Sequence, residues 1–347
     1  MAKIAINGFG RIGRLFFRAA FDKSSASQAG LDIVAVNDLG DCENLAYLLK
    51  YDTVYGRWDK EVRAEGDYLV VGGKSASRRI KFFQEKDPVK LPWGKLRVDI
   101  VVESTGVFEE YKKAKVHLEA GAKRVVITAP AKDSDGSTGR TVLMGVNGDE
   151  AKGVALTSNG SCTTNAASPV IQIMSENPGI KKAILNTVHG YTATQNLVDG
   201  PVKGKDFRRG RAAAQNIVLS STGAATAVTR AVRGLAGKFD GIAMRVPVVN
   251  GSIADITFLA ARKTSVEEIN DILKKAAKSP RWKGILKVAE GPIVSSDVIG
   301  EPYGAIVDLE FTRVIDGDLV KVLSWYDNEA GYVATLVGHV LNVASLI

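Results

Sequence analysis

The stretch SNGSCTTNAASPV, residues 158–170, holds Cys162, one of two cysteines in a chain of 347 residues. An apolar, strand-like run precedes it, and hydroxyls stand on both sides of the thiol. A structural cysteine prefers apolar neighbours and an unreactive setting. This one is presented where a strand hands over to a helix, and there the helix dipole and free first-turn amides favour a nucleophilic thiolate. A nucleophilic sulfur needs a base, and the chain offers three histidines. His117, in KKAKVHLEAG, reads as part of a solvated helix face. His339 falls in the C-terminal helical pattern, where a packed or surface role suits it. His189, in TVHGYTATQ, ends a strand and precedes threonines and a glutamine, so it is the partner expected for Cys162. The alternative for His189 is a plain surface residue.

A second constellation lies at the other end of the chain. INGFGRIGR carries Gly8, Gly10 and Gly13 between a strand and a helix, at the start of a βαβ unit. In that context Gly8 allows a tight turn, Gly10 lets a pyrophosphate approach the backbone, and Gly13 lets helix and strand pack closely. The helix N-terminus then faces the phosphates with unpaired amides. The second strand ends VAVNDLG. Asp38 there would accept from a ribose 2′-hydroxyl and repel a 2′-phosphate, which favours NAD over NADP; the alternative is an aspartate capping its own loop. It comes late after Gly13 because SSASQAG lengthens the connection.

These groups need elements to hold them. The first half alternates strands (KIAING, LDIVAVND, VDIVVEST, KRVVITAP, TVLMGV) with helical patterns (RIGRLFFRAAF, KKAKVHLEAGA), which implies βαβ units and a mostly parallel sheet. KGVALTSNG ends this half near residue 160. Beyond it a helix covers TTNAASPVIQIMSE, with Pro169 expected in its early turns. Strands follow at KAILNTVHGYT, FDGIAMRVPVV, SIADITFLAA, AIVDLEFTRVI and LVKVLSWYD, with helices at 211–233 and SVEEINDILKKAAKS. Strands in such close succession suggest a mixed or antiparallel sheet. The final AGYVATLVGHVLNVASLI reads as a helix that docks back on the first domain. The fold class expected is α/β: a Rossmann-type dinucleotide-binding domain (1–160 and 329–347) plus an α+β catalytic domain (161–328).

Composition narrows the setting. Hydrophobic residues make up 45% and charged residues 24%, as in globular rather than disordered chains. Apolar runs such as VVITAPA are too short to span a bilayer, and no signal peptide opens the chain. Two cysteines cannot build a disulfide framework, which suits a reducing cytoplasm. The net charge of +8 fits a phosphate-rich substrate or ordinary surface charge. The run KGKDFRRGR, residues 203–211, would alone give weak, salt-sensitive nucleic-acid affinity. No metal-ligand pattern is read.

Together INGFGRIGR, SNGSCTTN, VHGYTATQ, STGAATAV, MRVP and WYDNEAGY, in that order and over nearly the whole chain, resemble the phosphorylating glyceraldehyde-3-phosphate dehydrogenases. The resemblance implies that Cys162 attacks an aldehyde to give a thiohemiacetal while His189 takes the thiol proton. Hydride transfer to NAD then leaves a thioester, which inorganic phosphate cleaves to an acyl phosphate, 1,3-bisphosphoglycerate. It further implies that Thr192, Thr194 and Arg245 hold the substrate's phosphate, and that Ser161, Thr163, Arg209, Thr222 and Gly223 hold the attacking one. Read locally, the threonines serve β-propensity or helix capping instead. On the cofactor side the family positions are Asn7, Gly8, Gly10, Arg11, Ile12, Asp38, Lys86, Thr105, Thr128 and Asn328. Asn328 would fix the nicotinamide carboxamide, or is a simple turn residue. Residues 195–212 correspond to a loop that accompanies a homotetramer, with nucleic acid at most a secondary partner.

Several positions depart from the family pattern. Ala166 replaces a frequent second cysteine, which removes any intramolecular disulfide with Cys162. Gly160 and Gly190 stand where alanine or another small residue is usual, and are expected to loosen both catalytic turns slightly. Ala330 replaces a bulky residue after YDNE. The competing enzyme reading is an erythrose-4-phosphate dehydrogenase on the same scaffold, against which HGYTATQ and STGAA argue. A rival of another class is a binding protein for RNA or a protein partner on a dinucleotide fold.

Overall fold

The computed structural model describes residues 1–21, 30–73, 76–202 and 204–347. Positions 24–29 of SSASQAG, and Lys203 of the basic run, lie outside the described residues. The chain forms two compact units: Met1–Val142 with Gly148–Gly160 and Leu336–Ile347, and Leu143–Asn147 with Ser161–Thr335.

The first unit runs β1 (Ala2–Asn7), α1 (Arg11–Phe21), β2 (Leu31–Asn37), α2 (Cys42–Lys50), β3 (Glu61–Ala64), β4 (Tyr68–Gly73), β5 (Ala76–Phe83), α3 (Trp93–Leu96), β6 (Ile100–Glu103), α4 (Tyr111–Ala114), α5 (Val116–Glu119), β7 (Arg124–Ile127), β8 (Gly139–Thr141) and β9 (Leu156–Ser158). Its nine-stranded sheet has the order β3-β4-β5-β2-β1-β6-β7-β9-β8. β1 pairs in parallel with β2 on one side and β6 on the other, so the strand order reverses between β1 and β6. That is the switch point at which dinucleotide folds bind. Ile4, Ala5 and Ile6 of β1 and Ile100, Val101 and Val102 of β6 are fully buried, as befits strands covered on both faces. The β3–β4–β5 meander is antiparallel, an addition that no periodic signal in 61–83 had marked.

The second unit contains α6 (Cys162–Glu176), β10 (Ile180–Gly190), β11 (Val218–Ser221), α7 (Ala224–Ala231), β12 (Phe239–Val246), β13 (Ser252–Ala260), α8 (Val266–Ala277), β14 (Leu286–Ala289), β15 (Ala305–Ile315) and β16 (Leu319–Tyr326). Its seven strands form one mixed sheet, β11-β12-β10-β13-β16-β15-β14. Val170, Ile171 and Met174 of α6 join Leu185, Ala254, Ile256 and Val322 in its core. A last helix, α9 (Ala330–Ala344), has residues up to Thr335 in this unit and from Leu336 in the first.

Three expectations are corrected. Pro169 sits in the third turn of α6, not its early turns. The helix expected over 211–233 is confined to Ala224–Ala231, and strand β11 precedes it. His117 is fully buried rather than solvated. The segment around it breaks into the two short helices α4 and α5, which turn the ring inward against Glu103 and Trp93.

Candidate active site

Cys162 is the first residue of α6. Ser161 caps that helix: its Oγ accepts from the Thr164 amide at 3.0 Å, and the Thr164 hydroxyl answers the Ser161 amide at 3.1 Å. A reciprocal cap of this kind stabilises a helix start by about 1 kcal/mol and fixes where the chain enters the helix. It also fixes the sulfur, because Cys162 follows immediately.

His189 arrives on β10, one residue before that strand ends, and its Nε2 lies 3.3 Å from Cys162 Sγ. Its Nδ1 faces the Gly190 carbonyl at 2.6 Å and Arg245 Nη1 at 2.5 Å. β10 and β12 pair in parallel with His189 opposite Arg245, so sheet register alone delivers the arginine. Two partners compete for Nδ1, the accepting Gly190 carbonyl and the donating Arg245 guanidinium; in the tautomer with the proton on Nδ1 toward Gly190, the Nε2 lone pair is free to take the thiol proton. Burial, followed by the Arg245 charge, pushes His189 down to about 3, which makes it a neutral base. Burial pushes the Cys162 thiol up, against the pull of Arg245 and of the amide and hydroxyl of Thr163. Burial thus opposes the thiolate that the helix start was expected to favour.

Thr163 also departs from the expected role. It is buried, its hydroxyl lies 2.8 Å from Tyr326 OH, and it bonds to the sulfur rather than opening toward an anion. Tyr326, which the sequence did not single out, also reaches Thr187 Oγ1 at 2.7 Å and stacks edge-on against the His189 ring at 5.9 Å. The signal for it was available: Tyr326 ends β16 on the inward side of a strand whose alternate residues are buried.

The hydroxyls and cations expected to hold anions also make contacts with one another. Thr192 and Thr194 touch each other through their hydroxyls at 3.0 Å. Arg209 donates to Thr194 Oγ1 at 3.1 Å and to Ser220 Oγ at 2.7 Å, and its Nε is held by Asp206 at 3.1 Å. The structure thus places Arg209 against Thr194, a residue the sequence assigned to the other phosphate. Gly223 caps α7 without a side chain, and the Thr222 hydroxyl accepts from the Ala224 amide at 3.2 Å. Gly190 does not loosen its turn: an added Cβ would lie 2.9 Å from the Val248 carbonyl, so close packing requires glycine there. Asn328 is buried. Its Oδ1 accepts from the Gly251 amide and from Ser252 Oγ, which in turn receives the Gly190 amide, so this asparagine is tied to the histidine's turn.

In the first unit the fingerprint glycines divide the work. Gly8, at φ +92°, abuts Ser104 and Thr105, and a Cβ on Gly13 would lie 2.2 Å from the Gly8 carbonyl. A Cβ on Gly10 would meet nothing within 4 Å. The loop is therefore tight everywhere except where a phosphate must approach, and no acidic residue in the first turn of α1 opposes it. Asp38 accepts from the Phe9 amide at 2.6 Å and the Gly40 amide at 2.8 Å, which aims its carboxylate while leaving lone pairs for a ribose. The Arg11 guanidinium pairs with Asp52, so only its backbone is positioned for a pyrophosphate. Ile12 is half-buried on α1, and Lys86 is exposed beyond β5. Thr105 and Asn7 both bond to buried Glu103, and the Thr128 amide donates to the Glu103 carbonyl. These residues fit a dinucleotide. Among the described residues no group of His, Cys, Asp and Glu could hold a metal, and no helix is long and apolar enough to cross a membrane.

Comparison with known proteins places this geometry. Residues 161–328 match the glyceraldehyde 3-phosphate dehydrogenase C-terminal domain, and residues 2–111 match the NAD binding domain of the same family. The chain is 49% identical over 333 residues to the glyceraldehyde-3-phosphate dehydrogenase of Mycolicibacterium smegmatis, covering 95% of both chains. It is 48% identical over 336 residues to that of Mycobacterium bovis, covering 96% of both. Glyceraldehyde-3-phosphate dehydrogenase 2 of Streptomyces avermitilis is 46% identical over 338 residues, again with 96% of both covered. These relatives give no support to the erythrose-4-phosphate reading. A cysteine beside a buried histidine and an arginine, and a dinucleotide fingerprint at a sheet switch point, agree with these matches: the chain belongs to the glyceraldehyde-3-phosphate dehydrogenase family.

Proposed function

We propose that the protein oxidises glyceraldehyde 3-phosphate with NAD and inorganic phosphate to 1,3-bisphosphoglycerate, through a thioester on Cys162. The observation that carries the reading is the 3.3 Å approach of Cys162 Sγ to His189 Nε2 beside Arg245. As Sγ bonds to the aldehyde carbon, its proton passes to Nε2, so attack and ionisation coincide in a site that does not favour a free thiolate. The new Nε2–H and the Cys162 amide then face the developing alkoxide. NAD, when bound, accepts the hydride from that carbon. The carbon–oxygen double bond re-forms, the thioester remains, and the Arg245 charge helps expel the imidazolium proton. An oxygen of hydrogen phosphate next attacks the thioester carbon, the carbon–sulfur bond breaks, and the proton given up by the phosphate returns to the sulfur by way of His189 Nε2.

Arg245, Thr192 and Thr194 suit the substrate's phosphate. Arg209, Ser161, Thr222 and the open start of α7 suit the attacking one, with Arg209 linking the two sets through Thr194. Asp38 and the α1 amides suit the cofactor. On this reading residues 1–160 and 329–347 are the cofactor domain and 161–328 the catalytic domain. The sheet face of the second unit turned away from α6 exposes Leu219, Ile242, Ile184 and Leu319. An apolar face of this kind supports a homotetramer, and sedimentation should give about four times the 37.0 kDa chain. Two free cysteines suit a reducing cytoplasm. The test is reduced-cofactor absorbance with triose phosphate, NAD and phosphate: omitting phosphate should stop turnover after one equivalent. Continued turnover without phosphate would overturn the reading.

A further inference from the structure

Glu103 ends β6 and is buried, directly behind the dinucleotide fingerprint. Its surroundings decide its charge through a chain of fixed donors. The Glu85 amide donates to Asn37 Oδ1, so Asn37 must present its NH2 to Asn7 Oδ1, and Asn7 must present its own NH2 to Glu103 Oε2 at 2.6 Å. The Trp93 indole can only donate, and it points at His117 Nδ1 at 3.2 Å. His117 is therefore neutral with its proton on Nε2, which donates to the same Oε2 at 2.8 Å. Glu103 Oε1 takes the Thr105 amide at 2.8 Å and the Thr105 hydroxyl, which itself accepts from the Val107 amide. Among the described residues every group facing the carboxyl offers it a donor, the set of partners that satisfies a carboxylate. Among the described residues no lysine or arginine bonds to it. A carboxylate so held has only neutral partners in the interior, an arrangement that costs folding energy and calls for a reason.

The topology supplies one. Asp38, at the end of β2, marks the adenosine side of the switch point, so the other half of a dinucleotide lies over the ends of β6 and β7. Glu103 ends β6, and the Thr128 amide just after β7 is bonded to its carbonyl. Thr105 N, which Glu103 holds, lies 2.6 Å from where a Cβ on Gly8 would be. The two redox states of a nicotinamide differ by a positive charge on the ring. We propose that Glu103 is a specificity-determining residue for cofactor redox state, its uncompensated charge favouring the oxidised, cationic nicotinamide over the reduced one. Asn7, His117 and Thr105 are positioning residues that keep it ionised in the core. A unit charge placed roughly 10 Å from another, at an effective dielectric of about 20–40, would shift an affinity ratio roughly 3- to 10-fold after partial screening.

The proposal rests on NAD being the cofactor, and its test separates the two. Dissociation constants for NAD and NADH would be measured by titration calorimetry on the wild type and on Glu103→Gln. The expected result is a 3- to 10-fold weakening of NAD with NADH unchanged or tighter, and restoration of the ratio in Asn7→Asp/Glu103→Gln, which returns the charge one side chain away. Equal weakening of both forms marks a packing role and overturns the proposal, as does an unchanged ratio. Should Glu103→Gln fail to fold, Glu103→Leu/His117→Phe removes the charge with its main partner and is read by the same ratio. Failure of the wild type to bind either form would instead overturn the cofactor assignment.

Discussion

At the scale of single residues the account turns on a neutral thiol and a neutral base. Cys162→Ser keeps the size of the group and loses the nucleophile, so oxidation should fall by about a thousandfold or more while folding and NAD binding persist. Thr163 separates the structure's reading from the family's. If its hydroxyl serves the sulfur, Thr163→Val should lower kcat about tenfold and move the pH–rate profile, leaving the KM for phosphate unchanged. A rise in phosphate KM with kcat intact would return Thr163 to the anion site. The scarcity of cysteine and the strand-to-helix handover made Cys162 legible in the sequence, and the strand end made His189 so. The partners of Tyr326 and Ser220 were not legible, because each lies off in sequence: Tyr326, whose own burial the strand period did signal, meets Thr163 across 163 positions, and Arg209 meets Ser220 across 11. The charge balance of the pair was also hidden, since desolvation depends on what packs above the sulfur.

At the scale of elements, the fingerprint loop separates two kinds of glycine. Gly10→Ala adds a methyl to open space, so the melting temperature should hold within a few degrees while NAD affinity falls at least about tenfold. Gly13→Ala drives a methyl against the Gly8 carbonyl and should destabilise the first unit itself by about 2 kcal/mol or more. Equal melting temperatures for the two variants would contradict this division. Strands with a clear period, such as β1, β10 and β15, were readable because parallel or central strands are apolar throughout or strictly alternating. The stretch 211–233 misled because its Ala, Thr and Val residues suit a helix and a strand alike; pairing with β12 decides in favour of a strand for Val218–Ser221. The meander over 61–83 was missed because its arginines, lysines and glutamates mask the alternation. His117 was misplaced because lysines around it set the apparent polarity of the segment, while a single turn of helix faced inward.

At the scale of the whole molecule, stability should depend on pH through two buried histidines. His189 and His339 are both pushed by burial from 6.5 to about 3. Between those values the unfolded chain binds protons that the native state refuses. Stability is therefore intact above pH 6.5 and falls steadily as the pH drops toward 3, by about 1–2 kcal/mol per histidine at pH 5. His339, fully buried with Nδ1 on Asn159 and with no partner at Nε2 among the described residues, is the cleaner probe because it lies outside the catalytic group. His339→Leu should flatten the acid limb of a denaturant-midpoint series by about half. An unaltered slope would place the acid sensitivity elsewhere.

The claim on which the rest depends is tested most directly by trapping the intermediate. The protein is mixed with glyceraldehyde 3-phosphate and NAD without phosphate, quenched in acid, digested and weighed by mass spectrometry. The account predicts one acyl group per chain, on the peptide holding Cys162, formed together with one equivalent of reduced cofactor and discharged when phosphate is added. Reduction of cofactor with no acyl group on Cys162, or with the acyl group on another residue, would contradict it.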